Sequence, residues 1–206
     1  MEQGRTAIIN RALLYMGQDQ ILDPAGESKN VKLCASVYDD SLQETLSEYP
    51  WSFARKVAKL QQLEAAPKDF RFTFAYQLPE DAGRILLVHS RSAHEAFFTE
   101  TGRSNTDPAA EYTVYGREVY SNQSDLQIVY IRNNVRPAEM SAQFKNYLAM
   151  HIAMKLIVKI TGSNEGLQVL MKRLPQAQME AKRVDSEQTD TMPENRPNLF
   201  VKARLY

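Results

Sequence analysis

The sequence of 206 residues contains one cysteine, Cys34, and only three histidines. One cysteine cannot form an internal disulfide, and it cannot supply a cysteine-based metal cluster. We therefore expect the fold to be held by packing alone. A chain of this length can bury roughly 70% of its unfolded surface, so it needs no covalent or metal staple.

The chain also lacks an excess of either charge, since 25 lysines and arginines balance 25 aspartates and glutamates. Strong nucleic-acid binders usually carry a basic excess, because neutralising phosphates supplies much of their affinity. We therefore predict that tight DNA binding is not the main activity of this protein.

No segment approaches the ~20 apolar residues that a membrane span requires. The longest apolar stretch, residues 148–160, is interrupted by His151, Lys155 and Lys159. The first residues do not resemble a signal peptide, which begins with a basic segment followed by an apolar run. We expect a soluble protein without membrane contact.

Recognised catalytic motifs are missing as well: the sequence has no phosphate-binding loop, no dinucleotide-binding glycine turn and no nucleophile elbow. The histidines, His89, His94 and His151, have no histidine or carboxylate at a spacing typical of metal ligands. We predict that the chain is not an enzyme and that it holds no cofactor and no metal.

Two groups of reactive side chains have ordinary structural interpretations. Cys34 falls on the apolar face of a predicted helix, where a small buried hydrophobic side chain is expected. The carboxylates of the same helix lie opposite its apolar face and indicate a solvated surface. They are Asp39, Asp40, Glu44 and Glu48.

Helical periodicity is found on both sides of the middle segment of the chain. Residues 5–16 predict a first helix that stops at Gly17, and residues 28–48 predict a second that Pro50 ends. Pro137 is typical of a first helical turn, and apolar residues then recur every four positions up to Ile160.

A last helix follows this one. Gly162 closes the preceding helix, and Ser163 can cap the last one. Pro175 is expected to kink or divide the last helix.

The middle of the chain has the period of two that is typical of strands. Aromatic residues alternate with other residues over 70–77, residues 85–88 and 126–131 predict two more strands, and Gly116 predicts a hairpin turn. Residues 90–110 are polar and predict a long excursion at the edge of the sheet.

Together these patterns predict an α+β fold that is mainly a helical bundle of about four helices, with an inserted antiparallel β region and an extended C-terminal tail. The predicted parts are an N-terminal helical half (1–56), the β region (57–136), a C-terminal helical half (137–187) and the tail (188–206).

Two groups of apolar residues are candidates for protein–protein contact. Trp51 and Phe53 follow directly after a helix stop, where they could either anchor the helices to the sheet or form an interface hot spot. The tail ends in Leu199, Phe200, Leu205 and Tyr206, which lie outside any predicted core. We expect the tail to dock on a partner or on a neighbouring subunit, with folding back onto its own helices as the alternative.

Five short motifs, together with the C-terminal helices, resemble the tail tubular protein A family, the head-to-tail adaptors of short-tailed bacteriophages. The motifs are A-L-L-Y-M-G (12–17), L-C-A-S-V-Y (33–38), P-W-S-F-A-R (50–55), Y-Q-L-P-E-D-A-G-R-I-L (76–86) and V-Y-G-R-E-V-Y-S (114–121). The resemblance covers residues 5–187, and P-W-S-F-A is its most specific part.

This resemblance implies a structural protein of the virion, assembled in the host cytoplasm. It implies a ring of typically twelve copies between the portal protein and the tail nozzle protein, with the β region toward the nozzle and the helices toward the portal. The genome would pass through the centre of the ring during ejection without being bound tightly. The family's work is assembly, so no catalytic residues transfer.

Two other functions remain open. A nucleic-acid-binding module would use Lys155, Lys159, Lys172 and Arg173 as its basic residues. A small hydrolase would use an unrecognised site among Asp39, Asp40, Glu44 and His151.

Overall fold

The computed structural model describes residues 2–20, 29–90 and 111–189. These residues form four α-helices, two short 3-10 turns and seven strands. The helices are α1 (Glu2–Tyr15), α2 (Lys29–Glu48), α3 (Ala142–Thr161) and α4 (Asn164–Thr189). The strands are β1 (Arg55–Lys59), β2 (Gln61–Gln62), β3 (Phe74–Gln77), β4 (Ala82–Ser90), β5 (Tyr112–Tyr115), β6 (Glu118–Ser121) and β7 (Leu126–Arg132).

Helix α3 lies at the centre of the helical layer and contacts the other three helices. Its predicted apolar stripe is confirmed, since Phe144, Leu148 and Ile152 are fully buried. Ser141 caps the helix by accepting a hydrogen bond from the Phe144 amide, and Gly162 ends it in the left-handed conformation.

The strands form two antiparallel sheets. Sheet A has the order β1-β7-β4, and sheet B has the order β2-β3-β6-β5. The chain passes from one sheet to the other at Leu60, a buried residue that separates β1 from β2 in the sequence. The two sheets share a core that includes Ile128 and Tyr130 of sheet A and Tyr76 and Val119 of sheet B.

Sheet A also packs against the helices. Ile131 of β7 belongs to the helical core, and Leu86 of β4 packs against it. No described residue of sheet B takes part in that core. The layers therefore follow the order helices, sheet A, sheet B.

The predicted fold class is wrong. The β part is not a small insertion in a helical bundle, because its strands form two sheets with a hydrophobic core of their own. Of the described residues, 22% lie in strands and 53% lie in helices. The protein is a mixed α+β fold in which sheet A serves both the helical core and the sheet–sheet core.

Several local predictions are confirmed. Gly17 and Gly116 have positive φ values, as a helix end and a hairpin turn require. Ser163 accepts a hydrogen bond from the Gly166 amide near the start of α4.

The prediction that Pro137 begins the long helix is wrong, because this residue lies in a separate 3-10 turn before α3. Pro175 does not divide α4, which continues through it.

The predicted tail, 188–206, lies outside the described residues except for the last residues of α4, and so does the predicted excursion from residue 91 onward. In the described part of the chain, no helix has the length and apolar character needed to cross a membrane.

Candidate functional site

Trp51 lies in the helical core and has no exposed surface. Its indole Nε1 donates a hydrogen bond of 2.8 Å to the Thr45 carbonyl oxygen, and its ring packs edge-on against Tyr49 and Phe144. The half-buried Phe53 packs against the same Phe144 ring at 4.9 Å. Trp51 is therefore a core residue and not an exposed hot spot, and a partner could reach its side chain only by opening that core.

The other interface candidates, Leu199, Phe200, Leu205 and Tyr206, lie outside the described residues.

The structure brings together two of the four residues considered for a hydrolase site. Glu44 lies 3.7 Å from His151 Nε2 and 2.6 Å from Lys155 Nζ, while Asp39 pairs with Arg5 at 3.2 Å. Asp40 is exposed. The hydrogen bond from Lys155 lowers the pKa of Glu44, which weakens this carboxylate as a general base.

His151 itself is 8% exposed, and its Nδ1 has no hydrogen-bond partner in the described part of the chain. Burial, and to a smaller extent the nearby Lys155, lowers its pKa. The side chain is therefore neutral at pH 7, with little solvent access.

Cys34 is fully buried, as predicted, and burial raises the pKa of its thiol to about 11. A thiol with a raised pKa is a poor nucleophile, because the thiolate is the reactive form.

The basic residues considered for nucleic-acid binding are distributed over two helices. Lys155 is engaged by Glu44, whereas Lys159 is exposed in the last turn of α3. Lys172 and Arg173 are exposed on α4. The four basic residues are thus spread over two helices, and the charge of Lys155 is already balanced by Glu44.

A groove of about 830 Å³ lies between α3 and α4. Its apolar lining includes Ala142, Met150, Ala177 and Met179. Met179 is 63% exposed, so this lining is open to solvent. The polar residues of the groove include Arg173, Glu180 and Arg183, and Arg183 pairs with Glu180 at 2.7 Å.

A second surface lies on the far side of sheet B. The loop between β2 and β3 folds over the outer face of this sheet, where its Lys68 amide lies 3.5 Å from the Tyr120 hydroxyl. The loop presents Phe70, which is 96% exposed. A cavity of about 440 Å³ beside Phe70 is lined by the loop and by Tyr115, Glu118 and Tyr120.

Hydrogen bonds hold the loop that presents Phe70. Asp69 accepts hydrogen bonds from the Arg71 amide at 3.1 Å, from the Arg71 guanidinium at 2.7 Å and from the Tyr115 hydroxyl at 2.9 Å. The Arg71 contacts keep the pKa of Asp69 well below its usual range. Asn122 accepts from the Thr73 amide at 2.9 Å and donates to the Arg71 carbonyl oxygen at 3.1 Å. Phe70 is thus exposed on a braced loop.

The sequence did not predict this surface. The alternation of aromatics over 70–77 predicted a strand from Phe70 onward, but the strand begins only at Phe74. The segment Pro67-Lys68-Asp69 carries a signal that could have indicated a turn, because aspartate accepts hydrogen bonds from the backbone two residues later.

Comparison with known proteins adds no assignment to this geometry, because no family model matches the sequence and no curated protein is significantly similar to it.

Proposed function

We propose that the chain is a structural adaptor subunit of a short-tailed bacteriophage, which forms a ring between the portal protein and the tail nozzle protein. The observation that carries the proposal is the presence of two exposed surfaces of different character in different layers of one molecule. The groove lies in the helical layer, and Phe70 lies beyond both sheets. Such a molecule can hold one protein at each surface.

The chemistry of these surfaces supports protein recognition. Exposed aromatic side chains on a rigid support are typical interface anchors, and an open apolar groove between helices is a common acceptor for a partner segment. The resemblance of residues 5–187 to the tail tubular protein A family suggests the partners. The portal would meet the helices and the nozzle would meet the β sheets.

The proposal is tested by native mass spectrometry of the chain alone and with the portal protein of the same phage. We expect many copies of the chain on each portal ring, typically twelve by the family resemblance. Isolated chains can stay monomeric, since adaptor rings often form only on the portal. Binding of one or two copies, or none, would contradict the proposal.

A further inference from the structure

We propose that a cleft between α2 and sheet A binds an acidic side chain, glutamate or aspartate, of a partner protein. The cleft has a volume of about 210 Å³ and is lined by the C-terminal half of α2, the start of β4 and the end of β7. It shares no lining residue with the α3–α4 groove or with the cavity beside Phe70. It is therefore a further site, and the inference does not depend on the adaptor function.

The charge of the cleft is positive. Arg84 and Arg132 line it, and among the described residues no aspartate or glutamate does. Arg132 lies 2.7 Å from Glu139, but Arg136 also pairs with this carboxylate at 3.3 Å, so two guanidinium groups share one negative charge. Arg84 forms no ion pair with a described residue. Positive charge therefore remains in the cleft after the ion pairs are counted.

The backbone of β4 places Arg84 against α2. The pairing of β4 with β7 is irregular at two points between Ala82 and Leu87. Such bulges redirect a side chain and are frequent next to functional sites. A Cβ at Gly83 would lie 2.9 Å from the Ile131 carbonyl oxygen, so the close approach of the two strands requires glycine here. Arg84 thus owes its position to a local departure from regular strand geometry.

One contact fixes the guanidinium of Arg84 and leaves most of its donors available. Its Nη1 donates to the Ser47 carbonyl oxygen at 2.9 Å, near the carboxyl end of α2, where a cation is favourable. A guanidinium carries five N–H donors in a fork that matches a carboxylate. Gln43 and Asn133 bring side-chain amides to the same cleft, and neither side chain hydrogen-bonds to a described residue. The cleft therefore offers several donors to an acceptor from outside.

The size and the apolar part of the cleft favour a carboxylic side chain over a phosphate group. A volume of about 210 Å³ is below the ~300–1,000 Å³ of pockets that enclose a whole ligand, so the cleft takes one group of a larger molecule. The buried Leu46 and Ile131 supply apolar lining for the methylene groups of glutamate or aspartate. A phosphate has no apolar part, and the net charge of zero gives the chain little affinity for nucleic acid.

The test is an NMR titration of the isotope-labelled chain with small probes. N-acetyl-glutamate N-methylamide carries the proposed carboxylate, the corresponding glutamine derivative is its neutral isostere, and inorganic phosphate represents a nucleic-acid backbone. We expect the glutamate probe to shift the side-chain amide signals of Gln43 and Asn133, with a dissociation constant of about 1–10 mM for a contact of one group. Added salt should weaken this binding, because it depends on charge.

Two variants remove the recognition in different ways. Arg84→Gln removes the charge of the guanidinium, whereas Asn133→Asp places a competing carboxylate in the cleft. Each should weaken binding of the glutamate probe at least about tenfold. Arg55→Gln is the matched control for the first, because Arg55 is also exposed in sheet A and donates to a backbone carbonyl oxygen. Asn134→Asp is the control for the second, because Asn134 is an exposed neighbour outside the lining. Both controls should bind like the wild type.

Equal affinity of Arg84→Gln and the wild type overturns the inference, and so does equal binding of the glutamine isostere or the absence of saturable shifts up to about 100 mM probe. Tighter binding of phosphate than of the glutamate probe overturns it as well and indicates nucleic acid as the partner. If Arg84→Gln does not fold, unchanged affinity in Asn133→Asp decides against the site. None of these results bears on ring formation with the portal, which is measured separately.

Discussion

At the scale of single residues, Trp51 connects α2, the 3-10 turn that follows it and α3. Its indole Nε1 donates to the Thr45 carbonyl oxygen, and its ring packs against Phe144. Trp51→Ala should lower the free energy of unfolding by about 3–5 kcal/mol, because the substitution leaves a large cavity and removes the donor to that carbonyl. Urea denaturation followed by circular dichroism measures the loss.

Leu14→Ala is the control for Trp51→Ala, since Leu14 is 55% exposed and lies in a helix. This control should change the free energy of unfolding by less than about 0.5 kcal/mol. A loss below about 1 kcal/mol for Trp51→Ala would contradict the position of Trp51 in the core.

The burial of His151 predicts that the stability of the fold depends on pH. Burial lowers its pKa in the folded chain below the unfolded value of 6.5. As the pH falls, His151 is therefore protonated in the unfolded chain before it is protonated in the folded chain. The free energy of unfolding should then decrease from about pH 6.5 downward, until the pKa of His151 in the folded chain is reached. His151→Gln should remove this part of the pH dependence, measured as melting temperature between pH 7.5 and 5. The control His89→Gln should keep it, and an unchanged slope in His151→Gln would contradict the prediction.

At the scale of elements, one contact fixes the C-terminal half of α4. Asp185 is 2% exposed and accepts hydrogen bonds from the Ser52 amide at 3.0 Å and from the Ser52 hydroxyl at 2.7 Å. Asp185→Ala leaves these donors without their acceptor and should destabilise the fold by about 1–3 kcal/mol. It should also raise amide exchange along the end of α4. Ser186→Ala, at an exposed neighbouring position, should have little effect, and equal losses in both variants would contradict the contact.

The helices could be predicted from the sequence, whereas the arrangement of the strands could not. Phe144, Leu148 and Ile152 recur every four residues, and this local spacing fixes the face that α3 buries. The division of the strands into two sheets depends on which strands pair across long separations, and on the passage between sheets at Leu60. The alternation of apolar and polar residues along a strand is the same whether the strands form one sheet or two, so it does not reveal this division.

The Phe70 surface was missed for a related reason. An exposed aromatic and a strand residue give the same alternation, and the choice is made by Asp69, Tyr115 and Asn122, which come together only in the folded chain. The groove was missed because it forms between two helices. Its residues Met150 and Met179 are 29 positions apart in the sequence.

At the scale of the whole molecule, sheet A couples the two cores, because β7 contributes Ile128 to the sheet–sheet core and Ile131 to the helical core. We expect one cooperative unfolding transition. Ile128→Ala should destabilise the protein by about 2–5 kcal/mol. The fluorescence of Trp51, which lies in the other core, should report the same shifted midpoint as circular dichroism. Two separate transitions would contradict this coupling.

The charge balance of the whole chain leads to a last prediction. With a formal net charge of zero, the chain gains little affinity from counterion release, so its association with DNA should be non-specific. Filter binding near physiological salt should give a dissociation constant no tighter than about 10⁻⁶ M. A nanomolar constant would overturn this and favour a nucleic-acid-binding module.

The burial of Cys34 has a practical consequence for site-specific labelling. The chain has one thiol, which is fully buried and has a pKa raised to about 11, so maleimide reagents should leave it untouched while the protein stays folded. The natural sequence then behaves as a cysteine-free background for surface labelling. A cysteine introduced at an exposed position such as Ser186 should accept a single dye without further engineering. Slow reaction of Cys34 itself would time the rare openings of α2 from the helical core.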